Sequence, residues 1–218
     1  MIKPEKPKLL LSSAYFPPLE YFCYLLHAES AFIDIHETYT RQTWRNRCAI
    51  YSGNGPVNLS IPVERPLGNN TPTRDVLTSQ HQNWQKAHWR SIESAYRNAP
   101  FFLYYGSQVE ELIMGTSSST KLIELNNLIL TTLCLEMNLD VMVSFTDNFL
   151  SDTQGYLDMR FAISPKSKDR KHITDLPFKP YYQVFDERYS FQPNLSILDL
   201  LFNLGPDAKK YLMQTIPS

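Results

Sequence analysis

Three arginines, Arg41, Arg45 and Arg47, lie four and two residues apart in a chain whose formal net charge is only −1. Read as one extended strand, Arg-Gln-Thr-Trp-Arg-Asn-Arg-Cys turns all three the same way, because strand side chains alternate with a period of two. Guanidinium groups sharing a face repel one another unless an anion sits between them, and their planar forks match a phosphate or carboxylate. The alternative is that they lie on solvent or pair with nearby acids such as Asp34 and Glu37. Trp44, Asn46 and Cys48 alternate with the arginines, so the opposite face reads as partly buried and the arginines as held in place. The chemistry this suggests is capture of an anionic small molecule by Arg45 and Arg47. Arg41 would help, and Asn46 would orient the substrate or brace the loop.

Proton transfer needs a second group. His36, at the end of a strand pattern and near those arginines, is the candidate base, since an imidazole titrates near neutral pH. Its alternative is a hydrogen bond to the adjoining loop. Tyr15, presented by the Pro17-Pro18 turn, could line a ligand pocket or plug the core. His88 falls on a helical stripe with Trp84 and Ile92 and reads as core.

Other chemistries find less support. His36 and Glu37 with His81 and His88 form the one conceivable metal grouping. Seven residues of helix separate the last two by roughly 10 Å, beyond a single ion, so no metal site is assigned. Cys23 and Cys134 lie on apolar helical stripes, and alternation turns Cys48 away from the arginines. There is no Gly-x-Ser-x-Gly elbow, and Ser12 and Ser13 end a strand without an evident base. With 7 glycines and neither GxGxxG nor GxxxxGK[ST], most phosphate-loop readings fall away, and arginines and helix ends would have to hold any nucleotide.

These residues need elements to position them. Leu9 to Ser13 reads as a strand, Leu19 to Glu29 as a helix through Leu19, Phe22, Cys23 and Leu26, and Ala31 to His36 as a second strand. That is a β-α-β opening, which implies parallel pairing and ligand sites at the carboxyl ends of the strands. Arg47 to Tyr51 and Val57 to Val63 flank a Gly53-Asn54-Gly55 turn as a hairpin, and Arg74 to Thr78 suggests a short strand. Helical spacing follows over 83–99, 101–114 and 120–137, the last entered through Ser117, Ser118 and Ser119 as capping candidates. Val141 to Phe145 is a late strand, 147–175 a polar loop with the charge run Lys166 to Lys171, and Tyr181 to Phe185 alternates again. Leu195 to Leu204 is an apolar helix entered at Asn194. There, Ser196 and Asp199 are expected to cap or brace a neighbouring loop. The expectation is one α/β domain over 1–218: a mixed sheet opening with the β-α-β unit, a helical portion at about 83–137, then a late strand and a C-terminal helix.

Composition bounds the rest. The 43 % hydrophobic residues over 218 positions suffice for a substantial core. Near-neutral charge argues against a nucleic-acid partner. No stretch reaches membrane-span length, and three widely spaced cysteines in apolar settings suit a reducing, cytoplasmic location.

Several segments together are more specific than any one. Tyr15-Phe16-Pro17-Pro18, Thr43-Trp44-Arg45-Asn46-Arg47, Leu59-Ser60-Ile61-Pro62, Ser94-Ala95-Tyr96, Pro100-Phe101-Phe102 and the run from Asn194 to Asn203, taken in order, resemble the WbqC-like protein family. The chain departs from that pattern in carrying Ser12-Ser13-Ala14 before the turn and His36 after the second strand. The resemblance implies a role in bacterial surface-polysaccharide synthesis of the O-antigen type. It suggests a transferase acting on a phosphate-bearing or nucleotide-linked sugar, with the cofactor unspecified. The rival is a noncatalytic adaptor of the glycan-synthesis machinery, using aromatics of the Tyr104-Tyr105 or Tyr181-Tyr182 pairs as its contact surface.

Overall fold

The computed structural model describes residues 6–79, 83–117, 120–166 and 176–215. Strand β1 (Lys8–Leu11) is buried along Leu9, Leu10 and Leu11, as a central parallel strand covered on both faces must be. It pairs in parallel with β2 (Ser30–Ile33), and the link between them is helix α1 (Leu19–His27), so the β-α-β opening is present. The start of α1 is set by the Tyr15-Phe16-Pro17-Pro18 turn, where Phe16 takes φ 38°. Such a left-handed conformation is costly for an aromatic residue and persists where packing over-determines it.

The antiparallel hairpin of β3 (Arg47–Ser52) and β4 (Gly55–Ser60) follows, then the short pair β5 (Val63–Glu64) and β6 (Leu77–Thr78). Three helices come next: α2 (Trp84–Tyr96), α3 (Phe102–Met114) and α4 (Leu122–Glu136). Ser118 and Ser119, among the expected caps of α4, lie outside the described residues; Lys121 stands at its N-cap, where its backbone N–H donates to Glu124 Oε2 at 3.3 Å. The late strand β7 (Val143–Phe145) joins β2, and β8 (Tyr156–Asp158) joins the other flank of β1, giving a four-stranded parallel sheet in the order β7-β2-β1-β8. Helices α5 (Ile197–Leu204) and α6 (Ala208–Gln214) close the fold. One apolar cluster runs through these elements from Leu9 to Leu212. Among the described residues no helix is long and apolar enough to cross a membrane.

Three expectations need correction. The arginine segment is not one strand: Arg41 lies in a bend, Trp44–Asn46 form a 3-10 turn, and β3 begins only at Arg47. The buried Trp44 side chain and the Tyr15 N–H bond to the Trp44 carbonyl, 2.8 Å, hold that turn. Strand β8 lies within the stretch expected to be loop; three residues are too few for periodicity to register, and pairing with β1 stabilises them. The alternation at Tyr181 to Phe185 is irregular chain: Tyr181 donates its hydroxyl to Asp199 and Gln183 its amide to Asp199 and Gln192.

The Asn194 to Asn203 run stitches the first turn to the last helices. Asn194 Oδ1 accepts from the Glu20 N–H, and Ser196 Oγ donates to the Phe16 carbonyl and accepts from the Leu198 N–H as the N-cap of α5. This is the bracing role expected for Ser196.

Candidate active site at the carboxyl ends of the parallel strands

Each parallel strand delivers a polar group just beyond its last residue. Leu11 is followed by Ser12, Ile33 by the loop Asp34 to Glu37, Phe145 by Thr146, and Asp158 by Arg160. Backbone bonds continue the ladder past the strand ends: Asp34 N–H to the Leu11 carbonyl, 2.8 Å; Thr146 to Ile33, 3.1 Å; Met159 to Leu10, 2.8 Å. The next side chains are therefore held nearly as rigidly as the strands.

Asp34 caps its own loop. Its Oδ1 accepts from the N–H groups of His36 and Glu37 at 2.9 and 3.2 Å, while Oδ2 receives Arg160 Nη1 at 2.6 Å. Arg160 also grips Asp158 through two parallel bonds, 3.0 and 2.7 Å, the fork arrangement that suits a guanidinium. Its charge lies 5.4 Å from the Phe149 ring and 5.8 Å from the Phe161 ring.

Beside this network is a second buried pair. Glu37 Oε1 receives Arg45 Nε at 2.8 Å and Nη2 at 2.6 Å, and Oε2 stands 3.2 Å from Ser12 Oγ. Arg45 Nη2 also donates to Ser12 Oγ at 2.6 Å, and Ser12 Oγ reaches the Arg160 carbonyl at 2.9 Å. Burial raises the pKa of Glu37, against the opposing charge of Arg45 and the hydrogen bonds from Arg45 and Ser12. Asn126 Nδ2 fixes the segment by donating to the Arg45 carbonyl and Ser13 Oγ, 2.8 and 3.2 Å.

Two recesses adjoin this pair, Arg45 and Ser12 lining the inner one and Glu37 the outer. The inner one, lined by Ser12, Tyr21, Trp44, Arg45 and Arg160, has about 10 Å³ of room, enough for one water-sized group. The outer basin, lined by His36, Glu37, Thr38, Thr40, Phe149 and Phe161, offers about 450 Å³, within the range of small-molecule sites. Both lie outside the carboxyl ends of the strands, where α/β sheets bind ligands.

The expected site residues divide between this region and the core. His36 is on the basin wall, its Nδ1 2.7 Å from Arg74 Nη1 and its Nε2 3.1 Å from the Thr146 carbonyl. Arginine can only donate, so Nδ1 accepts and Nε2 carries the hydrogen, a tautomer assigned from these partners. Arg45 is buried on Glu37, the acid pairing that was the alternative to ligand binding. Arg47 is partly exposed with Nε on Ser60 Oγ at 3.1 Å, and Arg41 is exposed, its carbonyl accepting from Lys166 Nζ. Asn46 braces the loop: its Nδ2 donates to the Ile61 carbonyl at 2.7 Å, and its own carbonyl accepts the Ile61 N–H.

Tyr15 plugs the core rather than lining the basin, with its hydroxyl 3.0 Å from His88 Nδ1. His88 is buried as expected and its pKa falls to about 4, burial outweighing its hydrogen bond to the Ser60 backbone. His81 lies outside the described residues. Among those described, no three His, Cys, Asp or Glu side chains are grouped to hold a metal ion. The three cysteines are buried, and burial raises the pKa of each, Cys23 to about 12 and Cys134 to about 11.

All three arginine charges act on the buried Tyr39 phenol. Burial raises that phenol to about 12, and the charges of Arg45, Arg41 and Arg47 all act in the opposite direction on it. Thr38 and Thr40, on either side of Tyr39, line the basin. Sequence reasoning passed over Arg160 and Asp158, whose one signal was their spacing of two, and it gave Ser12 no base because Glu37 is 25 residues away.

A sequence profile of the WbqC-like protein family matches residues 12–176, the stretch that includes Ser12, Asp34, His36, Glu37, Arg45 and Arg160. The chain belongs to the WbqC-like protein family. It is also similar to the uncharacterized protein Rv1507c of Mycobacterium tuberculosis, 25 % identical over 229 aligned residues that cover 95 % of this chain and 97 % of that protein. No solved structure matches. Within this WbqC-like chain the Trp44-Arg45-Asn46-Arg47 segment has three separable duties: Arg45 is buried on Glu37, Asn46 ties the turn to Ile61 just after β4, and Arg47 opens β3.

Proposed function

We propose that the chain is a group transferase of bacterial surface-polysaccharide biosynthesis, acting on a phosphate-bearing or nucleotide-linked sugar at the outer basin. The observation that carries this reading is the basin of about 450 Å³ outside the carboxyl ends of the strands, lined by His36, Thr38 and Thr40, with exposed Arg41 next in the chain after Thr40. Arg41 and Arg47, unlike Arg45, have no carboxylate partner among the described residues, and they would receive the phosphate oxygens. Arg45 would supply positive field while remaining on Glu37.

His36 would then take the proton of an acceptor hydroxyl or amine. Its Nδ1 lone pair is engaged by Arg74, whose side chain is half exposed and 3.6 Å from Asp75. A substrate anion that draws Arg74 aside frees that lone pair, which couples binding to base strength.

Calorimetry with nucleotide-sugars, inorganic diphosphate and an uncharged sugar tests the reading. Phosphate-bearing ligands should bind, and Arg41→Gln and Arg47→Gln should each weaken them tenfold or more at unchanged melting temperature. Equal binding by wild type and both variants would sink it.

A noncatalytic adaptor is the second reading, favoured by Leu103 and Tyr104 at the start of α3, which are 95 % and 73 % exposed. Of the aromatic pairs, Tyr105 is buried and Tyr181 is held on Asp199, so Tyr104 and the half-exposed Tyr182 remain for contact. Substituting Leu103 and Tyr104 by serine separates the two, since only the adaptor loses its function.

A further inference from the structure

Ser12, at the end of β1, meets Glu37 and Arg45, both from the connection between β2 and β3, at one oxygen. Ser12 Oγ receives Arg45 Nη2 at 2.6 Å and stands 3.2 Å from Glu37 Oε2, with the Arg160 carbonyl 2.9 Å away as a competing acceptor for its hydrogen. A hydroxyl oxygen has two lone pairs and one hydrogen. Arg45 occupies one lone pair, the carboxylate can take the hydrogen, and the second lone pair is left for attack. This is the nucleophile, base and orienting group of covalent catalysis, with Arg45 holding the carboxylate and also stabilising charge as it develops on Oγ.

The inner recess supplies what such a group needs. Ser12 is partly exposed into it, and its walls add Ala14, Met159 and Ile163, which suit a methyl or similarly small group in a space of about 10 Å³. Trp44, on the same wall, is 8 % exposed and its buried Nε1–H has no hydrogen-bond partner among the described residues. A buried donor left without a partner costs free energy, and an oxyanion within its reach would satisfy it.

We propose that Ser12 is a nucleophile that accepts a small acyl group from an activated ester or thioester, with Glu37 as its base. Ser12 Oγ forms the bond to the acyl carbon while its proton passes to Glu37 Oε2. The bond from that carbon to the leaving alkoxide or thiolate breaks, and Glu37 returns the proton to the leaving group. An acceptor hydroxyl or amine then attacks the ester, its proton passes to Glu37, and Ser12 recovers a proton as it departs. No oxidant or reductant is needed. The inference deepens the transferase reading by naming the group moved as a small acyl unit, and it relies on the inner recess rather than on the arginines around Tyr39.

The test uses the full chain with 4-nitrophenyl acetate, independent of any nucleotide-sugar. The proposal expects a burst of nitrophenolate approaching one equivalent and an acetyl adduct on the Ser12 peptide by mass spectrometry. Ser12→Ala should abolish both, and Ser91→Ala, on α2 away from the recess, should retain them. Glu37→Gln should slow the burst by about 10²-fold or more. Because that change also breaks a buried pair, the base is read a second way: the wild-type burst rate should climb with pH as one carboxyl group loses its proton. Acetylation confined to lysines, a burst that survives Ser12→Ala, or a rate independent of pH across the carboxyl range would overturn the proposal. Failure of nucleotide-sugar binding in calorimetry leaves these outcomes unaffected, so the two readings fail separately.

Discussion

Arg45 Nη2 and Glu37 Oε1 stand 2.6 Å apart with side chains only 3 % and 2 % exposed. Two ions withdrawn from water in this way compensate each other only while both are present. Arg45→Gln or Glu37→Gln alone should therefore cost about 3–5 kcal/mol, leaving an uncompensated buried charge. Arg45→Met with Glu37→Leu should recover most of that loss. Urea melts of the four proteins compare these losses. A single variant within 0.5 kcal/mol of wild type, on the scale of an ordinary surface change, would contradict this account.

Ligand binding should respond to salt in a way that folding does not. Arg41 is exposed and Arg47 partly so, so their attraction for a phosphate is screened over a Debye length of about 8 Å at physiological ionic strength. Raising salt from low to molar concentration should weaken phosphate-ligand affinity progressively in calorimetry. The melting temperature should not fall in parallel, because the Arg45–Glu37 and Arg160–Asp34 pairs are buried.

Asp199 should make neutral pH costly. Burial lifts its pKa from 3.8 to about 6, even though Tyr181, Gln183 and Tyr96 hydrogen-bond to it and oppose the rise. A folded-state value above the unfolded one means that the fold prefers the protonated acid. The stability this contributes is complete below about pH 4 and disappears as pH rises through 6. The difference amounts to about 3 kcal/mol. Asp199→Asn should raise the melting temperature at pH 7.5 and have little effect at pH 4.5.

His88 works with the opposite sign. Burial lowers its pKa from 6.5 to about 4, so its neutral form stabilises the fold above pH 6.5 and that contribution fades as pH falls through 4. Between pH 4 and 6 the two residues offset each other. The Asp199→Asn variant should consequently lose stability on acidification from pH 6.5 more steeply than wild type. Tyr15→Phe should cost about 1–3 kcal/mol by removing the donor 3.0 Å from His88 Nδ1. A melt unchanged by that substitution would mean that the bond contributes nothing.

Gly205 should tolerate no side chain. It ends α5 at φ 51°, and a Cβ there would lie 2.5 Å from the Phe101 ring, whose backbone N–H is bonded to the Phe202 carbonyl. Gly205→Ala combines a left-handed backbone penalty of about 1 kcal/mol with overpacking of about 1–3 kcal/mol. Gly55→Ala, also at positive φ but with open space around it, should cost only the first of these. Thermal denaturation of the two variants side by side separates the contributions.

The sequence alone determined the elements whose signal is local. The helical stripe Leu19, Phe22, Cys23, the alternation in Ala31 to Ile33, the Gly53-Asn54-Gly55 turn and the capped run from Asn194 each follow from periodicity or turn chemistry acting within about ten residues. Together they specified the β-α-β opening and sent ligand binding to the strand ends. The extended reading of Arg41 to Arg47 failed because a period of two cannot reveal a 3-10 turn held by buried Trp44 and by Asn126, 81 positions beyond the Arg45 carbonyl it bonds.

Tertiary structure decided which charges meet. Arg160 found Asp34 and Ser12 found its carboxylate because β1, β2 and β8 are neighbours in one parallel sheet, although they lie about 20 to 150 residues apart in the chain, whereas Arg45 closed on Glu37 within the β2–β3 connection. Coulomb attraction and hydrogen bonding depend on distance in space and on the exclusion of water, and neither is written in residue spacing. The residue types at the strand ends were therefore legible from the sequence, while their pairing, and with it the separation of buried Arg45 from the available Arg41 and Arg47, came only with the folded sheet.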